Sequence, residues 1–205
     1  SIKELNTILD FNFSMVKEPA FIVKLTRHAD NDGQKLENEQ YITDDKMYVQ
    51  DAKTKEWMHG THERLRKVYD GRRKIVNFDS VLEFMSENQA NLKVEEKGDV
   101  IEVTYQGNDQ TSSDSFLKIA KLLTTVIEGN IKEMALENLN AKITIDAKTF
   151  IPKEFDVIAK YTKAKDGQTV LTWDFSYKAT YTDINGVKEI VIPNEVKNSR
   201  NADPK

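Results

Sequence analysis

Strict alternation of apolar and polar residues runs through most of this chain, and it confines the fold to one built on sheets. Leu9, Phe11, Phe13 and Met15 share one side of an extended segment, with Asp10, Asn12 and Ser14 on the other. A period of two is the pattern of a strand with one buried side. The same pattern returns over Val23 to Arg27, Leu36 to Ile42, Met47 to Gln50 and from Trp57. It resumes later over Leu92 to Glu96, Val100 to Tyr105, Leu139 to Asp146 and Phe155 to Tyr161. One long strand follows, with Leu171, Trp173, Phe175, Tyr177, Ala179 and Tyr181 in phase. Short polar breaks separate these runs: Lys17-Glu18-Pro19, Asp30-Asn31-Asp32-Gly33, Thr43-Asp44-Asp45, Asp51 to Glu56, Lys97-Gly98-Asp99, Asp166-Gly167 and Asn185-Gly186. Asp-Gly and Asn-Gly pairs accept positive φ and mark hairpin tips. The spacing predicts an antiparallel meander, with a last strand over Ile190 to Ile192 that ends at Pro193.

Two segments carry a helical period instead. Val81, Leu82, Phe84 and Met85 recur at helical spacing within Phe78 to Asn88. Ser80 followed by Glu83 reads as a capping box at its start. A longer helix is expected from Thr111 to Glu128, with Thr111-Ser112-Ser113-Asp114 as the start signal. Phe116, Ile119, Leu123 and Val126 form its apolar stripe, and Gly129-Asn130 its stop. Two apolar-striped helices beside many strands describe an α+β domain: a strongly curved antiparallel sheet with the helices on its concave face. Residues 1–197 are expected to form this single domain, and 198–205 a polar, frayed tail.

Composition narrows the function classes. The 205 residues are 39% hydrophobic and 31% charged with a net charge of -4. Signs are interspersed, so no basic face for nucleic acid is expected. The chain has no cysteine, which excludes disulfides, zinc-thiolate sites and thiol nucleophiles. No run of apolar residues is long enough for a membrane-spanning helix. Structure is legible from Ser1 onward, so a removed signal or lipid-anchor segment is the expectation.

Three local patterns, taken in order, carry a resemblance. They are Tyr41-Ile42-Thr43-Asp44-Asp45-Lys46-Met47-Tyr48-Val49 with Lys55-Glu56-Trp57, then Thr149-Phe150-Ile151-Pro152-Lys153. The last is Tyr181, Asn185-Gly186 and Ile190-Val191-Ile192-Pro193-Asn194-Glu195-Val196. Together they resemble an uncharacterised lipoprotein family of Gram-positive bacteria, similar in turn to LolA/LppX-like lipoproteins. The resemblance implies a half-barrel around helices that can enclose an apolar cavity. It also implies a place on the extracellular face of the cell membrane, through a lipid anchor outside this sequence.

Chemistry-bearing groups are sparse. His59-Gly60-Thr61-His62 with Glu63 lacks the regular spacing of a zinc helix. Arg64, Arg66, Lys67 and Arg72-Arg73-Lys74 form a basic stretch that could meet anionic lipid, diluted by Glu63, Asp70 and Asp79. Adjacent acids such as Asp44-Asp45 and Glu95-Glu96 fall on opposite faces of a strand and make no acid-base pair. No nucleophile elbow, phosphate loop or EF-hand sequence occurs, so neither an enzyme nor a cofactor or metal is expected. The remaining candidates are apolar: Phe11, Phe13, Trp57, Phe84, Phe116, Ile119, Leu123, Trp173 and Phe175. They would line an interior that holds a lipid or acyl chain. The other expectation is a solid-cored module that docks an envelope protein.

Overall fold

The computed structural model describes residues 2–16, 20–61, 70–71, 73–74, 78–123 (side chains to 121), 131, 133–182, 184, 186 and 189–203. Within them lies one open sheet. In chain order the strands are β1 (Lys3–Val16), β2 (Ile22–Asn31), β3 (Gln34–Thr43), β4 (Met47–Gln50) and β5 (Trp57–Gly60). After helix α1 (Asp79–Glu87) come β6 (Leu92–Lys97) and β7 (Val100–Gly107). After helix α2 (Gln110–Leu123) come β8 (Ala135–Asp146), β9 (Pro152–Lys165) and β10 (Gln168–Thr182). A short helix α3 (Asn194–Lys197) and β11 (Arg200–Asn201) complete the described elements. The strand order across the sheet is β11-β5-β4-β3-β2-β1-β10-β9-β8-β7-β6.

Most pairs are antiparallel, as the meander spacing predicts, but two are not. β1 runs parallel to β10, with Phe11 opposite Ala179 and Phe13 opposite Tyr181. β11 runs parallel to β5. A parallel pair needs a long crossover, and here residues 17–167 lie between β1 and β10. The pattern of single strands shows which face is buried. It does not show which strands meet across such a separation.

The pleat sorts residues onto two faces. Leu9, Phe11, Phe13 and Met15 of β1, Phe155 and Val157 of β9, and Phe175, Tyr177 and Ala179 of β10 are buried on one side, here the inner face. Both helices pack there. From α1, the Phe84 ring meets Tyr105 at 5.3 Å and Phe155 at 6.0 Å. From α2, the Phe116 ring meets Phe175 at 5.1 Å and Tyr161 at 5.5 Å. Lys118 of α2 pairs with Glu87 of α1. Gly107 ends β7 where a side chain cannot fit: a Cβ there would stand 2.1 Å from Ser112 Oγ and 2.6 Å from Tyr105 OH. Its absence lets α2 turn directly back over the sheet.

Local signals agree with the structure at some element ends and not at others. Asp166 and Gly167 both have positive φ, 53° and 77°, at the β9–β10 hairpin. Asn185 lies outside the described residues, as do the Lys17-Glu18-Pro19 turn and the helix stop at Gly129-Asn130. Helix α1 has no capping box. It begins at Asp79 behind Phe78, which is held at φ 62° with no side-chain cap. Ser80 is buried inside the helix. The Phe78 ring packs edge-on against Tyr181 at 4.7 Å, and that contact, not a cap, fixes the entry. For α2 the start signal is Asp109, whose carboxylate accepts from Ser112 N at 2.8 Å and Ser112 Oγ at 2.6 Å. This is an N-cap two residues before Thr111, where the expected start signal begins.

The C-terminal segment also departs from expectation. Ile190 to Ile192 is not a strand. Ile190, Ile192 and Val196 instead bury themselves against Val16, Tyr41 and Tyr48 on the outer face. Residues 199–203 are tied down. Arg200–Asn201 pairs with Met58 and His59, and Thr61 N donates to Asp203 Oδ1 at 2.9 Å.

Phe11→Ala removes a fully enclosed ring at the centre of the sheet and should cost about 3–5 kcal/mol. Ile8→Ala, on the opposite face of the same strand and 41% exposed, should cost under about 1 kcal/mol. Denaturant midpoints of the two variants measure this, and equal losses would contradict the facial assignment.

Candidate functional site

Seven of the nine apolar candidates converge. Phe11, Phe13, Phe84, Phe116, Ile119, Trp173 and Phe175 are all buried in one cluster. Their rings touch: Phe11 and Phe13 at 6.0 Å, Phe116 and Trp173 at 6.4 Å, Trp173 and Phe175 at 5.5 Å. The indole N–H and the Tyr161 hydroxyl find partners at its margin. Trp173 Nε1 donates to Thr7 Oγ1 at 3.1 Å, and Ser113 Oγ lies 3.0 Å from Tyr161 OH. Trp57 is elsewhere. Its register against Gln50 puts it on the outer face, 5.6 Å from the Tyr41 ring. Period two alone cannot say which side of a new strand faces the core. The side chain of Leu123, with Val126, lies outside the described residues.

The inner face loosens toward one end. Leu5 of β1, Leu36 of β3, and Val49 and Met58 of the paired β4 and β5 point inward but are half-buried. Farther along the same face, away from that end, Leu9, Leu25, Ile42 and Met47 are closed.

A polar island sits where closed gives way to half-open. Arg27 follows Val23 and Leu25 in phase on β2, so it points inward, opposite Phe11 on β1 and Asn38 on β3. Gln40 stands beside it, opposite Leu25. Asn38 and Gln40 are 7% and 3% exposed. Asn38 Nδ2 donates to Gln50 O at 2.9 Å. Asn38 Oδ1, Gln40 Oε1 and Arg27 Nε are buried with no partner. Burial pushes the Arg27 guanidinium below its ordinary value. Sequence reading passed over these residues although the signal was present: an Arg, an Asn and a Gln occupy core-phase positions of otherwise apolar runs.

The outer face carries a transverse row of charge. Across five adjacent strands run Lys142, Asp156, Lys178, Asp10 and His28, then Glu37 on β3. Lys178 Nζ lies 2.6 Å from Glu154 and 4.0 Å from Asp156, and Lys142 Nζ lies 3.9 Å and 3.8 Å from the same two carboxylates. Glu154 and Asp156 are two apart on β9, so they share a face, unlike the adjacent acids the sequence drew attention to. Burial, then the hydrogen bond that the protonated Asp156 donates to the Glu154 carboxylate, pushes Asp156 up to about 6. Beside them a groove of about 790 Å³ crosses the outer face between Lys93, Thr104, Gln106, Asn140, Lys142 and Ile158.

Other candidates are engaged locally or undescribed. His59 Nδ1 lies 3.1 Å from Ser199 Oγ, and its ring packs on Tyr48 at 5.6 Å. His62, Glu63, Arg64, Arg66, Lys67 and Arg72 lie outside the described residues. Arg73 stands 4.4 Å over the Phe21 ring and 3.3 Å from Asp44. Among the described residues, no three His, Asp or Glu gather as metal ligands.

A carboxyl whose folded value exceeds its unfolded value of about 3.9 holds its proton more tightly when folded. Its contribution is complete below about pH 4 and is lost as pH rises through about 6. Asp156→Asn should therefore flatten the fall in stability between those limits. Denaturant midpoints at half-unit pH steps measure this; an unchanged profile would contradict the assignment.

No curated protein and no solved structure matches the chain. A family model covers residues 2–201, every strand described above, and the chain belongs to that family: DUF6612, a family of unknown function.

Proposed function

We propose that this is a non-catalytic binding domain of the cell envelope, a half-barrel with helices on its concave side that holds an acyl chain or similar apolar ligand. The observation that carries the reading is the half-buried end of the inner face, where Leu5, Leu36, Val49 and Met58 continue the apolar surface of the core without being closed over. Apolar surface left in this state at the edge of a preorganised core is where a ligand gains most from burial. Covering roughly 300 Å² of acyl chain would contribute about 7 kcal/mol before the cost of association. The aromatic cluster forms the rigid floor of the site, and the ligand lies beside it along β3 to β5. Placement outside the cell and a lipid anchor beyond this sequence rest on the resemblance of the turn-and-strand motifs.

A second reading is favoured by the outer groove. Its lysines, amides and the exposed Ile158 suit the docking of a protein segment against the strands.

Titration with a fluorescent fatty-acid analogue separates the two. The first reading expects saturable binding that Met58→Asp weakens about tenfold or more and Ile158→Asp leaves unchanged. Loss of binding only in Ile158→Asp, or none in the unaltered protein, would sink it.

A further inference from the structure

We infer that Arg27 anchors the acid group of an anionic amphiphile, whose apolar tail lies along Leu36, Val49 and Met58. This rests on the reading above that the inner face takes an apolar ligand, and it names the head group.

The Arg27 charge is uncompensated among the described residues. Arg27 points into the apolar face with Phe11 and Asn38 directly opposite and Leu25 and Ala29 on either side along its strand. None of these is acidic. The carboxylates nearest in register, Asp10, Glu37 and Glu39, stand at outward positions of β1 and β3. Among the described residues Arg27 has no ion pair, and its Nε is enclosed without a partner. An inward-facing guanidinium is destabilising unless something pairs with it. Two further side chains in the same patch, Asn38 and Gln40, are more than nine-tenths buried and hold amide oxygens without partners. Three unsatisfied polar groups gathered on one inner patch exceed what a closed apolar core tolerates.

An acid group resolves most of this. A carboxylate or phosphate oxygen would accept charge-assisted hydrogen bonds from the guanidinium, whose planar fork suits either. The Gln40 amide can turn its N–H toward the same oxygen. Asn38 Oδ1 is held in place because its Nδ2 is committed to Gln50 O, so it accepts from a hydroxyl or a protonated acid oxygen. Position supplies the rest. The island lies between the closed core and the half-buried end, so a molecule bound by its acid at Arg27 would run its tail over residues already apolar and partly open.

The test compares two fluorescent probes of equal chain length, a free fatty acid and its methyl ester, with inorganic phosphate as a competitor. The unaltered protein should bind the acid at least tenfold more tightly than the ester. Arg27→Leu should remove that difference by weakening the acid alone, and Arg27→Lys should restore part of it. Without ligand, Arg27→Leu should unfold at an equal or higher denaturant concentration, because an unpaired inward charge is replaced by a hydrophobe. That result also shows that the variant folds. Equal binding of acid and ester in both proteins would overturn the head-group assignment and leave the apolar reading standing. Binding of neither probe to the unaltered protein would overturn both. Displacement of the acid probe by millimolar phosphate alone would mean a small-anion site and would overturn the amphiphile.

Discussion

The parallel pairing of β1 with β10 is the interaction on which the rest of the structure depends. Without it the chain is two antiparallel meanders, β1 to β5 and β6 to β10, each with one apolar face and an unpaired edge. The pairing holds twelve residues of β1 in register with β10. It places Phe11 and Phe13 beside Tyr177 and Tyr181, with ring centroids 5.7 Å and 5.4 Å apart. Two half-faces thereby become one apolar surface, which the described helices cover in part from the β7 to β10 side. Two potential edge strands also become the centre of the sheet, where their backbone groups are satisfied on both sides.

The two faces of that sheet do different physical work. The inner face gains stability from apolar burial and aromatic contact. The outer face is organised by alternating charge, and exposed pairs of this kind contribute little each. They matter more for register, because a one-residue slip would carry the row of lysines and acids into the core. A second small cluster, closed by Ile190, Ile192 and Val196, seals the outer side of β3 to β5. Against that regularity the inward Arg27, Asn38 and Gln40 stand out as a departure from the pattern. Departures of this kind are expected where a fold serves a ligand and not only its own stability.

Strand existence, hairpin tips and the buried set were legible because they follow from local rules. Alternation marked Leu9 to Met15 and Leu171 to Tyr181, and Asp166-Gly167 marked its turn. What depended on distant partners was not legible. The β1–β10 pair joins segments from opposite ends of the chain. Trp57 faces outward because β4 and β5 inherit their phase from β3. Ile190 to Ile192 looked like a strand but packs as an irregular segment, since the surface it covers is assembled from β1, β3 and β4. The polar island was hidden differently. Each of its residues lies inside a run counted as apolar by its neighbours, and only the register that puts Arg27 beside Asn38 shows that they form one patch.

In the proposed reading a bound amphiphile completes the inner face. Native mass spectrometry of the protein purified from its own host, kept in volatile buffer and never denatured, tests it most directly. The expected spectrum shows a population heavier than the chain by the mass of one acid-bearing acyl lipid, lost when the protein is unfolded. The bare chain mass throughout, from material that refolds and binds no added lipid, would contradict it.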